Sequence, residues 1–143
     1  MSFAQRKCAT FLLVERTDIL PPMGARARLL IASLTPHLVT EGASAEWPGT
    51  KLSHPTATVR EYSLNDVSAH ILRTAADGLY AWLSPNLPED LCFLRADRSP
   101  WLASIAHENE GFLFLKGAGE LDELRLECDQ LNLQLREQGY CGE

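Results

Sequence analysis

The densest grouping of chemistry-bearing side chains in this 143-residue chain is His107-Glu108-Asn109-Glu110. Histidine changes charge near neutral pH, so one set beside carboxylates can move protons for a substrate or ligate a metal ion. The spacing is not that of a helical zinc-protease motif, because Gly111 stands where the second histidine would be. Asp97 and His54 are the further groups that such a site would draw from across a sheet, and His37 and His70 have no position assigned by sequence. The candidate polar site is therefore His107, Glu108, Glu110 and Asp97. The competing reading is a strand-end cluster that hydrogen-bonds a neighbouring loop. No catalytic residue, metal-ligand set or cofactor is assigned.

Other chemistries lack their signatures. The chain has no G-x-S-x-G elbow, no phosphate-binding loop and no G-x-G-x-x-G turn. Its cysteines, at 8, 92, 128 and 141, form no C-x-x-C pair. Cys92 and Cys128 read as buried thiols acting as small hydrophobes, and Cys141 as exposed. Trp82 and Trp101 read as core. Trp47, between Glu46 and Pro48, is either an anchor for its loop or a contact residue for a partner.

These groups need elements to position them. Residues 9–16 form a short apolar run of strand length. Residues 24–34 are rich in helix formers and stop before Pro36. The small residues, glycines and prolines of 40–55 read as a long loop, and 56–64 alternates as a strand. Ser63 or Asn65 can cap a helix whose apolar positions Val67, Ile71, Ala75, Leu79 and Trp82 carry it over 66–83. Residues 91–95 and 101–107 read as a hairpin about an Asp97–Ser99 turn, with a further short strand at 112–115.

Over 119–138, Leu121, Leu124, Cys128, Leu131 and Leu135 step by three and four, which favours a helix over the rival reading of two strands. The order β-α-β-α-β-β-β-α predicts a single α+β domain spanning 1–143, with about three helices on a mostly antiparallel sheet.

The formal charge of −6 disfavours broad nucleic-acid binding, which needs a positive surface. That charge is uneven. Residues 1–30 carry +3 and residues 119–138 carry −4. The acids Asp122, Glu123, Glu127 and Asp129, with Trp47, are the candidate contacts for a protein partner, such as a basic toxin domain. A solvated outer face is the alternative for the acids. The run Cys8–Val14 is too short for a signal peptide, and nothing approaches the roughly 18–20 apolar residues of a membrane span, so a cytoplasmic protein is expected.

The stretches LYAWLSPNLPEDLCFLR (79–95) and PWLASIAHE (100–108), with Trp-Pro-Gly-Thr at 47–50 and Thr-Ala-Thr-Val at 56–59, resemble small bacterial cytosolic α+β proteins without an assigned activity. The likeness spans about residues 45–115, and Asp97-Arg98 replaces an Asp-Gly type turn. It implies a bacterial cytosolic domain of immunity-like type, and adds no catalytic residue. Three functions stay open. The first is an acidic inhibitor of a protein partner, such as a toxin immunity protein. The second is a small enzyme or ligand or metal binder built on His107, and the third is a self-associating module with the Leu121–Leu135 stripe as its dimer seam.

Overall fold

In the computed structural model, which describes residues 1–130, one antiparallel sheet carries the molecule. The elements in chain order are α1 (Ser2–Lys7), β1 (Thr10–Arg16), α2 (Ala25–Leu34), β2 (Leu38–Ser44), β3 (Glu46–Trp47), β4 (Thr50–Lys51) and β5 (Ala57–Ser63). They continue with α3 (Asp66–Ala75), β6 (Glu89–Leu94), β7 (Pro100–Ile105), β8 (Glu110–Leu113) and α4 (Gly117–Gln130). The six-stranded sheet runs β2-β5-β1-β6-β7-β8, every neighbour antiparallel, while β3 and β4 form a separate small hairpin. The architecture is α+β with a mostly antiparallel sheet, as the element pattern predicts. No helix among the described residues is long and apolar enough to cross a membrane.

Strand β1 lies at the sheet centre, and its Phe11, Leu12, Leu13 and Val14 are all buried. Successive side chains of a strand point to opposite faces, so an unbroken apolar run marks a strand covered on both. Phe11 and Leu13 join Tyr62, Phe93 and Trp101 under the helices, with Leu30 and Leu34 from α2, Leu72 from α3 and Leu124 from α4. Phe11 stacks on Tyr62 at 5.2 Å between ring centroids. On the other face Leu12 and Val14 meet Cys92, Leu94, Ala57 and Ala103, and the cover there is Trp47 of the hairpin.

Four readings of local structure are corrected. The chain from 40 to 55 is not one loop: Leu38–Ser44 pairs with β5 from Leu38↔Tyr62 to Ser44↔Ala57. That strand is exposed almost throughout, so it carries no apolar alternation to announce it. The helix expected over 66–83 ends at Ala75. Ala76 turns extended, and Asp77-Gly78, poor helix formers, pass the chain to a 3₁₀ turn at Leu79–Ala81 that delivers Trp82 to the core. Residues 106–108 are a 3₁₀ turn rather than the end of a strand over 101–107. A fourth helix, α1, packs Phe3 against Trp101 at 5.6 Å.

The start of α3 follows its chemistry closely. Asn65 Oδ1 accepts from the backbone N–H of Val67 and of Ser68, both at 3.0 Å, and Ser68 Oγ accepts from Asn65 N–H in return. Residues 119–130 are helical as expected. Leu124 is buried and Cys128 packs on the core, so this part of the leucine stripe faces the chain's own interior. Leu131, Leu133 and Leu135 of that stripe, and Cys141, lie outside the described residues.

Candidate functional site

The entry to β6 departs from a regular ladder. Leu12 pairs with Cys92 and Val14 with Glu89, so Leu13 alone faces two residues, Asp90 and Leu91. This is a β-bulge, and Asp90 takes its left-handed position at φ 53°. Aspartate tolerates that region better than most residues, although a Cβ there still costs about 1–2 kcal/mol. In a regular strand Glu89 and Asp90 would point to opposite faces. The bulge instead brings both carboxylates to one place, where the His107 imidazole meets them. One ligand-type atom from each of Glu89, Asp90 and His107 lies within 4.8 Å of the others.

The two acids differ in their partners. Asp90 is fully buried, and its oxygens accept one bond each, from Trp47 Nε1 at 3.1 Å and from the backbone N–H of Ala106 at 3.0 Å. The Ala106 bond fixes the 3₁₀ turn that carries His107, and Asn109, left-handed at φ 55°, ends that turn. Glu89 is 4% exposed, and its Oε2 has no hydrogen-bond partner at all. Burial, then the charge of Asp90, pushes the Glu89 carboxyl up from its ordinary value. Arg16, His107 and a backbone bond from Ser84 pull it partly back. His107 is half exposed and touches Glu108 at 3.5 Å, so one side of the cluster opens to solvent.

The other sequence-derived candidates fall elsewhere. Glu108 and Glu110 are exposed, Glu108 beside the imidazole and Glu110 at the start of β8 opposite Ile105. Asp97 sits in the β6–β7 turn, at the far end of that strand pair from His107. There Lys116 at 2.6 Å, then Ser99, hold its carboxyl well below the usual range. His37 contacts Asn65, and His54 and His70 are exposed. Trp47 is buried as an anchor rather than presented to solvent.

On α4, Glu123 pairs with Lys7 at 2.7 Å, Glu127 with Arg6 at 2.6 Å, and Asp122 approaches Arg125 at 3.8 Å. The basic and acidic poles of the sequence thus meet across α1 and α4. The side chain of Asp129 lies outside what the structure describes. Burial pushes the Cys8 and Cys92 thiols up to about 12, which leaves both un-ionised and poor nucleophiles at neutral pH.

Glu89 and Asp90 escape a reading by residue type, because Pro88-Glu-Asp has the composition of a turn. The available signal is two adjacent acids opening a run, Leu91–Leu94, that is otherwise wholly apolar. Comparison with known proteins gave no matching family model, no matching curated protein and no matching solved structure. The likeness read over residues 45–115 therefore has no counterpart among those comparisons.

Proposed function

We propose that this chain binds a divalent transition-metal ion through Glu89, Asp90 and His107. The observation that carries the reading is Glu89 Oε2, buried, without a partner, and set beside a second buried carboxylate and an imidazole. Two adjacent buried carboxylates repel unless a proton or a cation compensates them. Oxygen and imidazole donors together suit Zn²⁺ or Mn²⁺ better than Ca²⁺ or Mg²⁺, which favour oxygen alone. Ligand atoms about 2.1 Å from an ion in a tetrahedral site lie about 3.4 Å apart, so from within 4.8 Å of one another binding would draw the three together by up to about 1.4 Å. Three protein ligands and an open side match sites that keep a position for water or substrate.

Calorimetric titration with Zn²⁺ or Mn²⁺ should give one ion per chain, with weaker binding of Ca²⁺ and Mg²⁺. His107→Ala should lose more than the roughly 10–100-fold that removing an outer-shell partner costs. Absence of saturable binding in the wild-type chain, or equal affinity in the variant, would defeat the reading.

A second reading, an inhibitor of a basic protein partner in the manner of a bacterial immunity protein, is favoured by the outward acids of α4. The side chains of Asp122 and Glu123 are 71% and 55% exposed. Charge complementarity of this kind speeds association and weakens with salt. A stoichiometric partner with a basic surface should be retained at low ionic strength. It should be lost when Asp122, Glu123, Glu127 and Asp129 are neutralised together; retention after neutralisation would exclude α4 as the contact. A reducing cytoplasm is the compartment we propose, since it would keep the buried thiols Cys8 and Cys92 free.

A further inference from the structure

The hairpin β3–β4 is held to the sheet in an unusual way. Its own ladder has two residue pairs, Glu46↔Lys51 and Trp47↔Thr50. A two-stranded hairpin is marginal by itself in water, so its position depends on what it docks against. Clefts of about 570 Å³ and 310 Å³ flank it, and Trp47 lines both. Between them Trp47 enters the apolar cluster of Leu12, Val14, Cys92, Leu94 and Ala103, and its indole N–H ends on Asp90 Oδ2. The tip also approaches closely: a Cβ on Gly49, which is left-handed at φ 89°, would lie 3.5 Å from Ile105 and 3.6 Å from Ala103. The one polar side-chain bond that ties Trp47 to the sheet thus falls on a residue of the cation site.

We propose that Trp47 is the positioning residue of that site, and that ion occupancy sets how firmly the hairpin is docked. The inference rests on the cation reading. A ligating carboxylate is oriented by the donors on its outer side, and here those donors are Trp47 Nε1 and Ala106 N–H. Ala106 belongs to the turn that carries His107, so it orients Asp90 from the imidazole's own element. Trp47 orients it from a separate element that can leave. An ion that locks the Asp90 carboxylate favours the docked hairpin. By linkage the docked hairpin then favours the ion by the same factor.

The hairpin also walls the smaller cleft. That cleft's floor holds Glu61, a buried carboxylate bonded by Thr10 at 2.9 Å and by Arg98 at 2.8 Å. Undocking would therefore open a second polar surface on the same face of the sheet.

The test uses the full chain with Zn²⁺ or Mn²⁺ added as the chloride. Amide hydrogen exchange over residues 46–51 should slow when the ion is added. Trp47→Phe keeps an apolar ring but removes the N–H. It should weaken ion binding by about 10–100-fold and abolish the ion's effect on hairpin exchange. Wild-type binding of the ion with unchanged exchange over 46–51 would overturn the coupling and leave the cation reading standing, as would equal affinity in a folded Trp47→Phe. Failure of the wild-type chain to bind either ion would overturn both. The exchange measurement needs no variant, so a poorly folding substitution does not blunt it.

Discussion

Replacing Glu89 by glutamine should erase the thermal stabilisation that Zn²⁺ or Mn²⁺ gives the wild-type chain, and should raise the melting temperature of the ion-free protein. An ion present at about 100 times its dissociation constant stabilises the folded state by about 2.7 kcal/mol, or roughly 5–11 °C for a domain of this size. Glutamine fills the same space but is a poor ligand, so that shift should vanish. Without the ion, the substitution removes a charge whose buried oxygen has no donor and whose neighbour is Asp90. Relief on the order of 1 kcal/mol corresponds to about 2–4 °C. Scanning calorimetry with and without ion checks both halves. A variant that keeps the full ion-induced shift would remove Glu89 from the site. A fall in the ion-free midpoint would mean that the protein itself, through Arg16, already compensates the charge.

The largest loss of stability should come from Glu120→Ala. Glu120 joins α4 to the sheet: its Oε1 accepts from Arg95 at 2.8 Å, and its Oε2 accepts from Arg95 at 2.7 Å and from Lys116 N–H at 2.6 Å. Both side chains are nearly excluded from solvent. Truncation would leave the Arg95 guanidinium without its counter-charge, its Nε already without a partner and its Nη2 keeping only the Phe114 carbonyl at 2.8 Å. Breaking such a pair costs about 3–5 kcal/mol.

The pair also sets an acid limit. The Arg95 bond holds the Glu120 carboxyl below its ordinary 4.5, against the opposing effect of burial. A lowered acid stabilises the fold fully above its unfolded value, and the contribution fades as pH falls through the lowered one. Urea denaturation between neutral and acid pH should show a smaller loss in Glu120→Gln than in the wild-type chain, the remainder coming from other lowered acids such as Asp18 and Glu127. A cost below about 1 kcal/mol for Glu120→Ala would show the pair to be solvated, as surface pairs are.

How much of this could be read from residues depends on how local each cause is. Strand β1 is legible because Phe11–Val14 is apolar on both faces. The start of α3 is legible because the Asn65 cap and the groups it bonds lie within three residues. Its end is not, since Leu79 and Trp82 keep a helical spacing while reaching the core through a different turn. Strand β2 is invisible for a related reason: Thr40-Glu-Gly-Ala-Ser has no strand character, and its ladder with β5 makes it one. At the site, His107 is legible by type. Glu89 and Asp90 are not, because a bulge relative to β1, some 75 residues earlier in the chain, decides where their carboxylates go. Asp97 and Glu110 have the right chemistry, but the strand pairing takes them elsewhere.

The clasp between α1 and α4 has a consequence in time. Arg6 and its partner Glu127 are 121 residues apart. At about 5–20 residues per second, synthesis delivers the second roughly 6–24 s after the first. Over that interval β1 gains β5 and then β6 as neighbours, while Phe3 waits for Trp101 and the two basic residues of α1 wait longer still. Helix α1 is thus among the last of the described elements to find its place. Until then its Phe3 and its positive charge are open to whatever binds emerging chains.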